Sequence, residues 1–153
     1  MAHRKNNKKL QRGFTLIEVI AVLVIIAVLA AVAVSRVNST KEVSAITERD
    51  ILKSHLRYAQ LRALGDDHKW GIEFPNVSSY RIFRIDDDGT TKTYPYNLPN
   101  ENSATHTLPN GIEVSGVTVT FDEWGSPGAS DITINVSPGE GTITINRNTG
   151  FIP

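Results

Sequence analysis

The sequence predicts an α+β protein in which one long N-terminal helix packs against an antiparallel β-sheet head without disulfides. Three observations support this fold class. No Gly or Pro interrupts residues 14–64, short runs of β character follow Gly65, and the chain contains no cysteine. The lack of cysteine also excludes structural Cys–zinc sites and cysteine nucleophiles. The chain has 153 residues, enough for one domain with a modest core.

The first 13 residues form a basic segment without any acid, and its positive charges are Arg4, Lys5, Lys8, Lys9 and Arg12. Residues 14–153 contain 11 Lys or Arg and 16 Asp or Glu, so the zero formal charge of the whole chain hides a net −5 in this part. Lys and Arg beside a membrane segment stay on the cytoplasmic side. We therefore expect residues 1–13 to be a cytoplasmic leader and the head to lie outside.

An apolar run of 21 residues, 14–34, follows the leader and contains one charge, Glu18. At about 1.5 Å per residue, a helix of this length spans the roughly 30 Å hydrocarbon core of a bilayer. A cleaved secretory signal would have a shorter run, and a buried core helix would lack the basic leader. A plain anchor fits the hydropathy but leaves Glu18 unexplained, since a carboxylate in hydrocarbon needs a partner. We predict that residues 14–35 cross the membrane.

A cut between Gly13 and Phe14 would create such a partner, because the new α-amino group would lie four residues before Glu18. The two charges could then neutralise one another within one chain or between neighbours. The segment KKLQRGFTLIEV, residues 8–19, resembles the class III signal peptide, with its GFTLIE motif, of type IV prepilins and type II secretion pseudopilins. The alternative is a single-pass anchor in which Glu18 is coincidental.

The resemblance implies a set of roles for these residues. Prepilin peptidase would cut after Gly13 and methylate Phe14, and Glu18 would be the acid needed for assembly. The implied partners are that peptidase, other pilin or pseudopilin subunits and the inner-membrane assembly platform. The implied location is the bacterial inner membrane, crossed once with the head in the periplasm, and then a pilus or pseudopilus.

Residues 36–64 are predicted to continue the helix as an amphipathic half. Apolar residues recur there at helical spacings and are expected to share one face: Val43, Ile46, Leu52, Leu56, Ala59 and Ala63. Gly65 is the expected C-cap.

Residues 65–153 are predicted to form the β-rich head. Alternation is clearest in 132–136 and 143–145, as expected of half-buried strands. Residues 86–89 and 137–141 are expected to be hairpin turns, and 98–108 an exposed loop. The predicted strands are residues 70–74, 80–85, 90–96, 112–114, 117–121, 132–136 and 142–146.

Two head segments, 121–127 and 143–152, resemble the minor pseudopilin H or FimT-type family, and the helix end at 56–64 resembles MSHA-type minor pilins. Major type IV pilins usually close a C-terminal loop with a disulfide, which a cysteine-free chain cannot form. The resemblance therefore favours a minor subunit of either a pilus or a type II secretion pseudopilus.

Other functions receive little support from the sequence. No catalytic motif is present, so we expect no enzymatic activity and no cofactor. The histidines at 3, 55, 68 and 106 are scattered along the sequence and do not have the spacing of metal ligands. Asp86–Asp88 also lacks the spacing of a calcium loop. We interpret this segment as a hairpin turn, and a bound ion is the alternative. Trp70 and Trp124 are expected to pack in or around the head core.

Nucleic acid is not an expected partner, although a filament-surface binding module for DNA uptake or adhesion is the alternative function. Residues 66–153 contain five Lys or Arg and twelve Asp or Glu, a net charge of −7. Contacts to phosphates require clustered Lys and Arg. The head as a whole therefore repels nucleic acid.

Overall fold

The computed structural model describes residues 13–139 and 141–153, without the side chains of 35–40. The chain divides into two compact units, residues 1–38 and 39–153. One helix is followed by eight strands: α1 (Leu16–Leu64), β1 (Trp70–Asn76), β2 (Ser79–Ile85), β3 (Lys92–Thr93), β4 (Thr105–Thr107), β5 (Glu113–Gly116), β6 (Val119–Phe121), β7 (Ile132–Ser137) and β8 (Gly141–Ile145).

The first unit contains the apolar start of α1. Leu16–Val34 is long and apolar enough to cross a membrane, and its side chains are exposed throughout. Exposure of this apolar segment to water is unfavourable, because removing each methylene group from water stabilises the protein by about 0.8 kcal/mol. This surface therefore needs lipid or other apolar helices around it.

The second unit combines the remainder of α1 with two antiparallel sheets. The larger sheet has the order β3-β2-β1-β6, and β4 also pairs with β2. The smaller sheet has the order β5-β7-β8. All the pairings are antiparallel, so the predicted α+β class and the antiparallel head are confirmed.

The core of this unit lies between α1 and the inner faces of both sheets. Leu52, Leu56, Ala59 and Ala63 of α1 are buried there as predicted, against strand residues that include Trp70, Ile72, Tyr80, Ile134 and Ile143. Burial of these apolar side chains is the main stabilising contribution to the head.

The predicted helix face is wrong at its beginning. Val43 and Ile46 are 64% and 51% exposed, whereas Ala45 is buried. At 100° per residue, Ala45 lies two turns before Leu52 on the same face, whereas Val43 lies on the opposite face. The actual buried stripe therefore begins at Ala45.

Two predicted segments of the head also differ in the structure. The expected exposed loop 98–108 contains β4, and Leu98, His106 and Leu108 in it are buried. The expected strand 90–96 is reduced to Lys92–Thr93. Gly65 follows the helix as expected and donates its N–H to the carbonyl of Leu61 at 3.2 Å.

Candidate assembly site

The helix begins with a capping box formed by Thr15 and Glu18. The Glu18 N–H donates to Thr15 Oγ1 at 3.3 Å, and the Thr15 N–H donates to Glu18 Oε2 at 3.4 Å. Each side chain thus satisfies a backbone N–H that the first helical turn leaves unpaired. The carboxylate also lies at the positive end of the helix dipole, which favours an anion there.

The structure brings the predicted site residues together at this end of α1. Gly13, Phe14 and Glu18 line one shallow surface with Thr15, and Phe14 is 83% exposed. A peptide bond between Gly13 and Phe14 is therefore accessible, and Glu18 is one turn away from it. The predicted leader up to residue 12 lies outside the described residues.

The capping role of Glu18 was not among the predicted roles, although the sequence contains a signal for it. Thr15 and Glu18 have the spacing of the Ser/Thr-x-x-Glu capping pattern directly before an apolar run. Glu18 consequently has a local role at the helix start that is independent of any neighbouring subunit. A test of its assembly role must separate its charge from its capping oxygen.

A buried polar cluster connects α1 to the segment that contains β4. His106 Nε2 lies 2.8 Å from Glu48 Oε2 on α1, and His106 Nδ1 lies 2.6 Å from Glu101 Oε1. Carboxylates only accept hydrogen bonds, so His106 donates to both of them when its ring carries both protons. The ring also stacks on Tyr80 with centroids 4.9 Å apart.

His55 completes this cluster from the next turns of α1. Its Nδ1 lies 2.9 Å from the Tyr80 hydroxyl, and its Nε2 lies 3.2 Å from the Pro99 carbonyl. Burial lowers the pKa of His55 and raises the pKa of Tyr80 above its usual range. His55 and His106, which are far apart in the sequence, are neighbours in the structure, with ring centroids 5.7 Å apart. Both are buried, so the cluster fastens loop 98–108 to the helix.

The Asp86–Asp88 segment connects β2 and β3 as a turn, with the Gly89 N–H donating to the Asp86 carbonyl at 2.8 Å. The Asp88 carboxylate accepts from the Thr91 side chain and from the N–H groups of Thr91 and Thr90, which lowers its pKa to about 2. Asp86 accepts from Arg84 at 2.9 Å. Asp87 contacts His68. All three carboxylates of this segment therefore have a protein partner, which is consistent with a structural turn.

No metal centre forms in the part of the chain that the structure describes. Residues 13–139 and 141–153 contain no group of three His, Cys, Asp or Glu residues that is arranged to hold a metal ion.

Of the two tryptophans, Trp70 is buried as predicted, but Trp124 is 78% exposed. The expectation that Trp124 packs in or around the core is therefore wrong.

His68 joins the loop after α1 to the β2–β3 turn, and this contact has a predictable pH dependence. Its Nδ1 lies 2.8 Å from Asp66 Oδ1 and its Nε2 lies 2.8 Å from Asp87 Oδ1. Both bonds raise the pKa of His68 above 6.5, and the bond to Asp66 is the larger cause. The bond to His68 in turn lowers the pKa of Asp66. The folded state therefore holds the proton more tightly than the unfolded state.

We expect the stabilisation by His68 to be complete below its unfolded pKa of 6.5 and to disappear as the pH rises through its raised folded value. The loss of stability in the His68→Asn variant relative to wild type should be largest at about pH 6 and smallest at about pH 9. Denaturation of both full chains in detergent micelles across this range measures the difference. A deficit that grows with pH would show that the His68 contact does not work in this way.

Comparisons with known proteins identify a matching sequence motif and similar solved structures. Residues 8–34 match the family model for the prokaryotic N-terminal methylation motif. The minor pseudopilin EpsH from the type 2 secretion system of Vibrio cholerae is similar in two structures. One has a TM-score of 0.57 at 11% identity, with 72% of this chain and 94% of that chain covered. The other has a TM-score of 0.55 at 12% identity, with coverages of 72% and 92%.

A structure of the type IV minor pilin FimU from Pseudomonas aeruginosa has a TM-score of 0.49 at 14% identity and covers 70% of this chain and 89% of that chain. No curated protein sequence matches this chain significantly. The predicted prepilin methylation motif is confirmed by the family model. The chain also has the pseudopilin fold, as its structural similarity to EpsH shows.

Proposed function

We propose that this chain is a minor structural subunit of a type IV pilus-like filament or a type II secretion pseudopilus, and not an enzyme. The observation that carries the proposal is the combination in one chain of the N-terminal methylation motif and a head with the pseudopilin fold. The cysteine-free head supports a minor role. Because fold alone does not specify function, the assignment depends on the motif and its position at the start of the helix.

In this proposal, residues 1–13 are the cytoplasmic leader that prepilin peptidase removes, and Phe14 becomes the N-methylated first residue. Residues 14–35 hold the subunit in the bacterial inner membrane, and residues 36–64 support the head, 65–153, in the periplasm. The exposure of Gly13 and Phe14 next to the helix start supports access by a peptidase.

Assembly in this proposal moves the apolar start of α1 from lipid into the core of a filament of pilin or pseudopilin subunits, driven by the inner-membrane assembly platform. The exposed apolar surface of Leu16–Val34 supports this step, because neighbouring helices can replace lipid without loss of apolar burial. Glu18 pairs with the methylated amino group of a neighbouring subunit, which offsets the cost of its desolvation and fixes the axial register.

The processing step can be tested with Gly13→Val. We expect wild-type protein from the native host to begin at an N-methylated Phe14, whereas the variant keeps residues 1–13 because a β-branched side chain replaces the glycine at the cut. Intact-mass measurement of membrane extracts distinguishes the two forms. Thr15→Ser is the matched control, because its hydroxyl can keep the capping box. A wild-type chain that retains its leader would contradict the proposal.

A strain without this protein distinguishes a type IV pilus subunit from a type II secretion pseudopilin. In a strain without this protein, loss of sheared surface pili with normal secretion identifies a pilus subunit. Loss of secreted proteins with normal pili identifies a type II secretion pseudopilin. The amount of this subunit in filaments, relative to the main subunit, tests the minor role.

A further inference from the structure

Trp124 is held in an exposed position by a tightly bonded turn after β6. The Asp122 carboxylate accepts the N–H groups of Trp124 at 3.0 Å and Ser126 at 2.8 Å. The Gly125 N–H donates to the Asp122 carbonyl at 2.9 Å, and the Asp122 N–H donates to the Ser126 carbonyl at 3.0 Å. Gly125 has φ +72°, which favours glycine at this position. The turn therefore has one well-defined conformation.

Gln60 of α1 fastens this turn to the helix. Its Nε2 donates to the Gly125 carbonyl at 2.8 Å and to the Gly150 carbonyl at 3.0 Å. One side chain thus fixes the Trp124 turn and the C-terminal loop together. Binding of a partner would cost little backbone entropy at Trp124, because the turn that contains Trp124 is already fixed.

The Trp124 side chain borders a concave surface at the end of α1. Trp124 is 78% exposed and Leu64 is 53% exposed. The other lining residues are Gly65, Asp66, Asp67 and Glu123. No core packing requires a tryptophan at so exposed a position, whereas tryptophan is among the residues that contribute most to binding at protein interfaces.

The charge of this surface indicates the chemistry of its partner. Three carboxylates line it, and none of its lining residues within the described chain is basic. Asp66 is engaged by His68 and by the Trp70 indole N–H at 3.1 Å, whereas Asp67 and Glu123 are exposed. The C-terminal end of α1 adds the negative end of the helix dipole. A cationic group beside Trp124 would meet both carboxylates and the face of the indole ring.

We propose that Leu64, Asp67, Glu123 and Trp124 form a docking surface for a polypeptide segment of a partner protein that presents Lys or Arg beside an apolar side chain. The apolar side chain packs on Leu64 and Trp124, and the cation binds the carboxylates. The same charge repels nucleic acid. This interaction goes beyond the proposed filament function and does not depend on cleavage at Gly13.

The test uses the full chain in detergent micelles and isothermal titration calorimetry. The probes are a short peptide of alternating Arg and Leu, the same peptide with Glu in place of Arg, and a neutral glucose oligosaccharide. We expect the basic peptide to bind at least about tenfold more tightly than the acidic one, and Trp124→Ala to weaken it by at least about tenfold. Glu123→Gln should reduce the preference for the basic peptide.

Val117→Ala is the matched control, because Val117 is an exposed apolar residue (64%) outside this surface, and it should bind as wild type does. Fluorescence of the buried Trp70 verifies that each variant is folded. The proposal is overturned if no peptide binds, if the two peptides bind equally, if Trp124→Ala leaves the affinity unchanged, or if the oligosaccharide binds instead. Processing at Gly13 is measured separately, so the two proposals can fail independently.

Discussion

Gly71→Ala is expected to destabilise the head by more than about 3 kcal/mol, the upper end of the usual cost of overpacking. A Cβ at Gly71 would lie 2.1 Å from the Val119 carbonyl oxygen and 2.6 Å from the Phe83 ring. The ring is fully buried, and the carbonyl belongs to the backbone of β6, so no rotamer change relieves the clash. The pairing of Gly71 with Thr120 across β1 and β6 would have to separate.

Denaturation of the full chain in detergent micelles, followed by near-ultraviolet circular dichroism, measures this loss. Gly65→Ala is the matched control, because its Cβ would lie at an ordinary 3.5 Å from the Leu61 carbonyl oxygen. We expect that variant to change the free energy of unfolding by less than about 1 kcal/mol. Equal stability of the Gly71 and Gly65 variants would mean that β1 and β6 do not approach as closely as described. A loss above 3 kcal/mol is large, since small domains are stable by only about 5–15 kcal/mol.

The elements with a strong local pattern could be predicted from the sequence. The uninterrupted stretch before Gly65 corresponds to α1, and the alternation in 132–136 and 143–145 lies within β7 and β8. The absence of Gly and Pro predicts the length of α1, whereas in β7 and β8 the alternation also predicts which residues face the core. The end of α1 at Leu64 was predicted from Gly65, whereas the helix begins at Leu16, two residues after the first apolar residue of the run.

Features that depend on contacts between distant segments could not be predicted in this way. His106 is buried because Glu48, 58 residues earlier, and Glu101 both bond to its ring. Nothing in a polar three-residue strand such as Thr105–Thr107 shows that it will pair with β2. The exposed position of Trp124 follows from the bonds of Asp122 and Gln60 to its turn, whereas its hydrophobicity alone favoured the core.

The proximity of the candidate assembly residues was predictable for a different reason. Gly13, Phe14 and Glu18 belong to one short contiguous motif, which the family model matches within residues 8–34. Their proximity follows from the chain itself, because Gly13 and Phe14 directly precede α1 and Glu18 lies in its first turn. The hydrogen bonds between Thr15 and Glu18, which cap the helix, were not predicted from the motif.

Replacement of Glu18 is expected to remove the subunit from filaments, while the subunit itself stays anchored in the membrane with its head folded. Glu18→Ala removes both the negative charge and the capping oxygen. Glu18→Gln removes the charge but keeps an oxygen that can accept the Thr15 N–H, since glutamine also serves at this position of a capping box. If the charge pairs with a neighbour's amino group inside the filament, both variants should be undetectable in sheared filaments and present at wild-type amounts in membranes.

Immunoblots of the sheared and membrane fractions measure this distribution, and Glu42→Gln is the matched control, because Glu42 is an exposed acid of the same helix within the head unit. That control should assemble as wild type does. If Glu18→Gln assembles normally and Glu18→Ala does not, the requirement is for the capping hydrogen bond and the proposed pairing is wrong. If both variants fail, the missing element is the charge, because an amide that still caps the helix cannot neutralise an amino group excluded from water.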